Sequence, residues 1–441
     1  MSEPTYEKDT IAARATAPGR GGIGIIRVSG PDVTRISEAV AGRIPEPRYA
    51  TFARFKDENN QVLDEGIVLF FPGPDSFTGE DVLEIQGHGG PVVLDMLLSR
   101  IVSLGARNAR PGEFSQRAFL NDKLDLTQAE AIADLIESST EAAARGAIRS
   151  LQGEFSTLVN ELLAQVIELR VYVEAAIDFP EEEIDFISDE RVMGRLKEIQ
   201  ETLASILDQS REGTLLTEGA SVVLTGKPNA GKSSLMNLLT GRETSIVTDI
   251  PGTTRDVIGD VLQLDGIPLR LLDTAGIRES ADQIEAEGVK RAQAAQQEAD
   301  LVLHLVDAST DTPPETTGPR EVVVLNKIDL LDNPDDLPSG TPKISAKTGA
   351  GLEDLKIRLK ETLGVSDAEG GGFTARSRHI AALKAAGDAL LDGKRVLEDQ
   401  QAGELLAEEL RECQRHLSEI TGEFSADDLL GEIFSSFCIG K

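Results

Sequence analysis

The sequence predicts a multidomain protein that combines α/β domains with an all-α helical bundle. Residues 1–120 contain short apolar runs typical of strands, whereas residues 121–217 and 366–441 carry apolar residues at helical spacing. Between the helical blocks, residues 218–365 alternate short Val-, Leu- and Ile-rich strands with helices, which is typical of a mainly parallel sheet. We therefore predict an N-terminal α/β domain, a discontinuous helical domain, and an α/β domain inserted into the helical one.

Length, charge and cysteine content narrow the possible functions. The 441 residues correspond to about three domains. The net charge of −32 gives no general attraction to nucleic acid, so an RNA contact requires a local basic patch or a partner's surface. No long apolar run and no basic, apolar leader occurs, which predicts a cytoplasmic location without membrane contact. Cys413 and Cys438 form neither a disulfide framework nor a metal motif.

The N-terminal domain is predicted from two strands and one helix. Ile23–Val28 and Gly66–Phe71 are short apolar runs bounded by Gly or Pro, which suits buried strands. Pro91–Leu104 has a helical pattern, and Gly105 follows as a C-cap.

Four apolar stripes predict the helical domain, because each recurs at steps of three or four residues and needs a partner surface. Two stripes precede and two follow the inserted segment, so we predict one bundle built from both blocks. Gly213–Gly219 and Asp367–Gly372 flank the insertion and are predicted to be loops, the second with a flexible glycine hinge. The stripes are Leu158, Leu162, Val166, Leu169 and Val173; Val192, Leu196, Ile199, Leu203 and Ile206; Ile380, Leu383, Gly387 and Leu390; and Leu406, Leu410, Cys413, Leu417 and Ile420.

A phosphate-binding loop opens the inserted domain. The predicted strand Ser221–Thr225 leads directly into Gly226–Ser233, which has both glycines, the lysine and the serine of a P-loop. The glycines allow backbone N–H groups to turn toward phosphates, Lys232 supplies positive charge, and the Ser233 hydroxyl suits Mg²⁺. The predicted GTP contacts here are Asn229, Ala230, Gly231, Lys232, Ser233 and Ser234.

Four further elements follow in the order that a GTPase needs. Thr254 can ligate Mg²⁺ with Ser233, and Asp273 begins a DxxG that follows a strand. Asp329, after the strand Val322–Leu325, can accept from N1–H and N2–H₂ of guanine, a donor pair that adenine lacks, so GTP is favoured over ATP. The predicted contacts are Thr248, Asp249, Ile250, Pro251, Gly252, Thr253 and Thr254; Asp273, Thr274, Ala275 and Gly276; Asn326, Lys327 and Asp329; and Ser345, Ala346 and Lys347.

The residue after DxxG is unusual for a GTPase. Ras-type enzymes place a glutamine there to position water, but this chain has Ile277, so the hydrolytic residue must come from elsewhere. The acidic candidates just downstream are Glu279, Asp282, Glu285 and Glu287.

Motifs outside the inserted domain carry a family resemblance. They are Pro18–Gly24, Phe77–Asp81, Gln86–Gly90, Arg110–Phe114, Asn121–Leu126, Glu174–Phe179 and Phe437–Lys441. With the GTPase motifs they resemble the bacterial tRNA modification GTPase MnmE family, also called TrmE, over nearly the whole chain and without clear departure.

The resemblance implies a folate-binding domain at residues 1–120, a helical domain at 121–217 and 366–441, and a GTPase domain at 218–365. It also implies a homodimer joined through the N-terminal domains and a flavoprotein partner, MnmG or GidA, in a heterotetramer or larger complex. The implied reaction adds an aminomethyl or carboxymethylaminomethyl group at C5 of the wobble uridine of certain tRNAs. The carbon would come from 5,10-methylenetetrahydrofolate and the nitrogen from glycine or ammonium, with FAD and NADH on the partner only.

The resemblance implies functions for individual residues of this sequence, each at a position that matches a functional position of the family. Arg27, Glu84, Lys123 and Lys441 match folate contacts, which is reasonable because Arg and Lys pair with carboxylates and a carboxylate accepts from a pterin edge. Cys438 is also matched, and both a chemical role and structural burial are open for it.

In the GTPase domain the resemblance implies a bound K⁺, with Asn229, Thr248, Ile250 and Thr253 as its ligands. Glu285 matches the carboxylate that orients the attacking water, and Arg278 and Asp256 belong to the same region. Lys232, Arg278 and Glu285 are therefore the predicted catalytic residues. GTP hydrolysis would drive GTPase-domain dimerisation and a rearrangement around the folate site.

Two other functions fit the sequence less well. A ribosome-assembly GTPase would carry a basic RNA-binding domain, and the acidic flanks argue against it. A free-standing aminomethyltransferase acting on a protein substrate would not need a GTPase insertion.

Overall fold

The computed structural model describes residues 9–178, 190–242, 261–264, 266–273, 299–314, 318–333, 336–365, 372–400, 402–423, 427–438 and 440. The chain divides into two compact units, Met1–Ala133 with Gln414–Lys441, and Asp134–Cys413. Each unit contains its own β-sheet.

The first sheet contains β1 (Ile11–Arg14), β2 (Gly21–Ser29), β3 (Thr51–Lys56), β4 (Val62–Phe71), β5 (Val82–Gly89) and β6 (Arg107–Asn108). The second contains β7 (Ala220–Thr225), β8 (Val261–Leu264), β9 (Ile267–Asp273), β10 (Leu301–Asp307) and β11 (Glu321–Asn326). The described helices are α1 (Val33–Ala41), α2 (Pro91–Ser103), α3 (Glu113–Leu120), α4 (Leu126–Glu137), α5 (Glu141–Leu151), α6 (Glu154–Asp178), α7 (Glu190–Glu218), α8 (Lys232–Arg242), α9 (Leu352–Leu363), α10 (Ser377–Gln400), α11 (Gly403–Thr421) and α12 (Asp427–Ser435).

The first unit is built on a mostly antiparallel sheet of order β3-β4-β5-β2-β1-β6. Its core contains buried residues of β2, β4 and β5 and of helices α1 and α2. The predicted strands lie within β2 and β4, and the predicted helix is α2, so these three predictions are confirmed.

The C-terminal segment packs on the N-terminal part of this unit. Phe434 and Phe437 share an apolar cluster with Leu126 and Ala129 of α4. Gly112 has a left-handed φ of +64°, and a Cβ on it would lie 2.5 Å from the carbonyl oxygen of Phe434. Close backbone approach therefore requires glycine at this position.

The helical part of the second unit joins residues from both helical blocks. Phe155 of α6 stacks on Phe373 with ring centroids 4.6 Å apart, and it lies 5.0 Å from the ring of His379 in α10. All five stripe residues of α7 are buried, as are Leu406, Leu410 and Cys413 of α11; the stripe residues Leu417 and Ile420 are buried within the first unit. These contacts confirm the prediction that both blocks build helical structure together.

The predicted loop at Gly213–Gly219 is wrong, because α7 continues through it to Glu218. Gly213 lies within this helix, and a Cβ on it would collide with the Phe373 carbonyl oxygen and lie 3.0 Å from the nitrogen of Ala375. Gly213 therefore allows the backbone of residues 373–375 to approach the helix closely. Only Gly219, with φ +73°, ends the helix. The second predicted loop lies outside the described residues except for Gly372.

The second sheet has the order β11-β10-β7-β9-β8, in which β8 alone is antiparallel. Its core combines buried residues of the strands with Leu355 and Leu359 of α9. The strands predicted at 221–225, 271–273 and 322–325 are confirmed within β7, β9 and β11. Across the described ranges, none of the helices has the length and apolarity needed to span a bilayer.

Two glycines give opposite expectations for stability. Gly194 is exposed inside α7 with open space around it, so Gly194→Ala should stabilise the helix by about 0.5–1 kcal/mol. Gly351 has φ +75°, and a Cβ would collide with the Lys343 carbonyl, so Gly351→Ala should destabilise its domain by about 1–3 kcal/mol. Segment-resolved hydrogen exchange should show slower exchange in α7 for the first variant and faster exchange around α9 for the second. Equal exchange in the wild type and both variants would contradict this account.

Candidate functional site

The predicted P-loop joins a buried strand to a helix. β7 ends at Thr225, and α8 begins at Lys232. Gly226 and Gly231 have left-handed φ values of +129° and +100°, which lets the backbone curl between them. The Lys232 ammonium lies inside this curl and donates to the carbonyl oxygens of Gly226 at 2.8 Å and Lys227 at 3.0 Å.

The exposed start of α8 suits an anion. Ser233 and Ser234 are exposed in its first turn, where unpaired N–H groups and the helix dipole favour phosphate. The Ser233 hydroxyl is a hard oxygen ligand of the type that Mg²⁺ prefers. Asn229 is exposed and has a left-handed φ of +67°.

The side chain of Asn326 connects the P-loop to the base-binding loops. Its amide nitrogen donates to the Ala230 carbonyl at 2.7 Å, and its amide oxygen accepts from the N–H of Ala346 at 2.9 Å. Only 1% of Asn326 is exposed. This buried amide therefore fixes the spacing between the phosphate loop and the Ser345–Lys347 loop.

The guanine-recognising carboxylate is oriented by a serine. Ser345 donates its hydroxyl to Oδ1 of Asp329 at 2.6 Å, and Asp329 itself is exposed. Lys327 precedes it with a left-handed φ of +68°. The exposed carboxylate can accept the two donors of a guanine edge, whereas an adenine edge offers it no such pair.

One residue of this site was not predicted from the sequence. Asp307, at the end of β10, accepts from the Lys327 ammonium at 2.5 Å and from the hydroxyl of Ser309 at 2.6 Å. Burial opposes ionisation of Asp307, but these donors hold the pKa of the carboxyl below its usual value. In the sequence, Asp307 directly follows an apolar strand, and the next strand along the chain leads into Asn326-Lys327. This position at the end of a strand is the signal that could have identified Asp307 as a site residue. Asp311 similarly pairs with Lys227 of the P-loop at 2.5 Å.

Several predicted residues lie outside the described ranges, and β9 ends at Asp273. Among the described residues, no group of three or more His, Cys, Asp or Glu side chains is placed to hold a metal ion. The predicted residues outside those ranges are Thr248, Asp249, Ile250, Pro251, Gly252, Thr253, Thr254, Asp256, Thr274, Ala275, Gly276, Ile277, Arg278, Glu285 and Lys441, with the other acidic candidates Glu279, Asp282 and Glu287.

In the first unit, the predicted folate contacts Arg27 and Glu84 lie opposite each other on β2 and β5. Both Nε and Nη2 of Arg27 donate to Oε1 of Glu84, at 3.0 and 2.9 Å. The guanidinium also lies 5.3 Å from the ring centre of Phe77 and 5.7 Å from that of Phe114. The guanidinium of this largely buried ion pair is thus held against two aromatic rings.

Two of the other N-terminal motifs, Phe77–Asp81 and Asn121–Leu126, contact each other. Asn121 donates its amide to the Thr78 carbonyl at 2.7 Å, which joins two of the motifs. The stem of Lys123 lies next to Gly79, 3.4 Å from where a Cβ would stand. Lys123 is exposed, so its ammonium remains available to an anionic ligand.

Cys438 lies at the end of the docked C-terminal segment. Its carbonyl accepts from the N–H of Gly112 at 3.4 Å, while the residue itself is exposed. This exposure disfavours structural burial as its role and leaves the thiol accessible.

A P-loop on a mainly parallel sheet, with an Asn-Lys-x-Asp carboxylate at the same edge, defines a P-loop GTPase domain. Here that domain is continuous in sequence with a helical domain and an N-terminal α/β domain.

Comparisons identify the family to which this chain belongs. The family model described as GTP-binding protein TrmE N-terminus matches residues 10–123, and that of the MnmE helical domain matches residues 126–438. The tRNA modification GTPase MnmE of Chromohalobacter salexigens is 57% identical over 454 residues, covering 99% of each chain. That of Hydrogenovibrio crunogenus is 56% identical, covering 98% of this chain and 99% of the relative. The chain belongs to the tRNA modification GTPase MnmE family.

Base specificity is testable at Asp329. Asp329→Asn should weaken GTP binding at least about tenfold, since hydrogen bonds to charged groups contribute roughly 1.5–3 kcal/mol each. The variant should instead prefer xanthosine triphosphate, whose 2-carbonyl can accept from the new amide. Titration of both nucleotides would measure this, with Asp332→Asn, an exposed neighbour, as the matched control. GTP affinity equal to wild type would rule out the assignment of Asp329.

Proposed function

We propose that this chain is the GTP-hydrolysing subunit of a complex that modifies C5 of the wobble uridine in certain tRNAs. A flavoprotein partner of the MnmG type would supply FAD and NADH chemistry, and a tetrahydrofolate derivative would supply the one-carbon unit. The product group would be aminomethyl or carboxymethylaminomethyl. The similarity to tRNA modification GTPases supports the tRNA substrate, and the N-terminal site supports the folate.

The observation that carries the folate proposal is the convergence of separate motifs around Arg27 and Glu84. Both guanidinium donors go to Oε1 of Glu84. Oε2 of Glu84 has no hydrogen-bond donor among the described residues, so it can accept from the donor edge of a pterin. The ring of Phe77, which is only partly buried beside Arg27, further favours a flat ligand, whereas Phe114 is fully buried behind the guanidinium.

The cationic side chains suit the other end of such a ligand. Lys123 is exposed beside the same motifs and can pair with a glutamate carboxylate. Lys441 is proposed as a second cation there, although it lies outside the described residues. A bound tetrahydrofolate derivative would supply an activated one-carbon unit, while the chain's residues bind and orient it.

For GTP hydrolysis we propose Mg²⁺ held by Ser233 and Thr254, and K⁺ held by Asn229, Thr248, Ile250 and Thr253. The exposed amide of Asn229 and the hydroxyl of Ser233 are suitable oxygen donors. Mg²⁺ and K⁺ would supply positive charge as the phosphate bond breaks. Lys232 would contribute charge at the phosphates, Glu285 would orient water, and Arg278 would assist. We propose that hydrolysis accompanies dimerisation of GTPase domains in a homodimer.

The tRNA proposal predicts a separable role for the C-terminal segment. Removing residues 438–441 should abolish wobble modification, because it deletes Cys438 and the proposed folate contact Lys441. GTP binding should stay nearly intact, since the P-loop and base loops are untouched. Mass spectrometry of tRNA nucleosides from cells carrying only the truncated or the full chain would measure the first effect, and nucleotide titration the second.

The full chain restoring wobble modification to a deletion strain would support the proposed function. Unmodified wobble uridine with the full chain and its partner present would refute it. Normal modification by the truncated chain would refute the role of the C-terminal segment alone.

The cation proposal predicts faster GTP turnover in KCl than in NaCl at equal ionic strength, because a pocket of several oxygens sized for K⁺ suits Na⁺ less well. Glu285→Ala should slow turnover and leave nucleotide binding unchanged, since its proposed task is to orient water. Glu287→Ala is the matched control. Steady-state phosphate release would measure these rates. Equal rates in both salts would exclude the K⁺ role, and an unimpaired Glu285→Ala would remove Glu285 from the mechanism.

A further inference from the structure

His88, on the strand β5 that carries Glu84, pairs with Asp64 of the neighbouring strand β4. Oδ1 of Asp64 lies 2.7 Å from Nδ1 of His88, and Oδ2 accepts from the backbone N–H of the same residue at 2.7 Å. The Asp64 side chain is 9% exposed and the His88 side chain 70% exposed. The carboxylate thus fixes both the backbone and the ring of one histidine, while the rest of that ring faces solvent.

The surrounding backbone makes room for this arrangement. A Cβ on Gly87 would collide with Oδ2 of Asp64, so only glycine allows the carboxylate to reach His88 from beneath. The register between β2 and β5 shifts between Gly21 and Gly24, opposite His88. A Cβ on Gly22 would have no atom within 4 Å, so the bulged segment opposite His88 is open at Gly22. Such bulges are common next to active sites, where they redirect side chains and end pairing.

His88 also belongs to the proposed folate face by its position in the strand. Glu84, Gln86 and His88 alternate with the buried residues Leu83 and Ile85 along β5, and alternate residues of a strand share a face. Four residues of strand span about 13 Å. A pterin that meets Glu84 by its donor edge and lies along β5 in the direction of Gln86 would direct its far side toward His88.

The electrostatic environment of His88 suits a general base. With Nδ1–H donated to Asp64, the second ring nitrogen carries its lone pair toward solvent. The hydrogen bond and charge of Asp64, with a smaller contribution from Glu65, raise the pKa of His88. A carboxylate behind a histidine fixes its tautomer and stabilises the imidazolium that forms.

We propose that His88, positioned by Asp64, is the base that deprotonates the amine substrate of the wobble-uridine modification. This inference rests on the proposed function, in which glycine or ammonium supplies the nitrogen. The substrate's ammonium N–H bond breaks, its electron pair stays on the amine nitrogen as the nucleophilic lone pair, and the proton bonds to Nε2 of His88. The exposed imidazolium then returns this proton to solvent, which restores the neutral histidine.

The test uses the full chain with its flavoprotein partner, tRNA, methylenetetrahydrofolate and glycine or ammonium. His88→Ala should slow formation of the modified nucleoside by about 10²–10⁴-fold, the range for loss of a general base. Added imidazole should restore part of the lost rate. GTP turnover and the Kd for tetrahydrofolate should stay within about twofold of wild type. His416→Ala, which alters another histidine beside a carboxylate, is the matched control.

Asp64 is tested as a positioning residue. Asp64→Asn should lower kcat for the modification while leaving KM for the amine nearly unchanged, because substrate contacts persist and the base is weakened. In ¹⁵N-histidine NMR spectra of the wild type, tetrahydrofolate should shift the His88 resonances and leave those of His416 in place.

The possible results distinguish a failure of the role of His88 from a failure of the proposed function. Wild-type rates in His88→Ala, a parallel loss of folate binding, or unshifted His88 resonances with folate bound would overturn the role of His88 and leave the proposed function standing. A wild-type chain that neither binds folate nor supports modification would overturn the proposed function and this inference with it.

Discussion

The GTPase site depends on one buried amide, that of Asn326. It accepts from the Ser345–Lys347 loop and donates to the P-loop, so both loops are held by a group that is 1% exposed. Loss of either partner would leave a buried polar group unsatisfied, which costs about 1–3 kcal/mol. The parallel strands β7, β10 and β11 bring these loops to one edge of the sheet, and the amide sets the distance between them. The positions of Lys232 and Asp329 both follow from that distance.

A second set of constraints shapes the N-terminal unit. The Arg27–Glu84 pair is half-buried between strands and aromatic rings, where charges are held more strongly than on an open surface. Gly112 allows the C-terminal segment to approach closely, and this approach brings Cys438 beside the Arg110–Phe114 motif. Residues more than 300 positions apart in the sequence thus share one surface through backbone contacts that only glycine permits.

Charge pairs around the nucleotide site organise its loops. Asp307 engages Lys327, and Asp311 engages Lys227, so one segment after β10 contacts both the base loop and the P-loop. The Lys327–Asp307 pair is largely buried, so solvent screens its electrostatic attraction less. Lys227 is mostly exposed, so the Lys227–Asp311 pair contributes little to stability. The segment after β10 therefore orients the base loop more firmly than the P-loop.

The sequence by itself determined the elements whose signals are local. Helical stripes, the P-loop with its flanking strand and helix, and the Asn-Lys-x-Asp strand end were predictable, because periodicity and turn chemistry act over a few residues. Tertiary structure decided which groups meet across the chain. The Asp307–Lys327 pair, the rings beside Arg27 and the uninterrupted helix through Gly213 all depend on contacts between distant segments. Glycine in isolation favours a loop, but at Gly213 the close approach of the Phe373 backbone makes a glycine necessary within a helix.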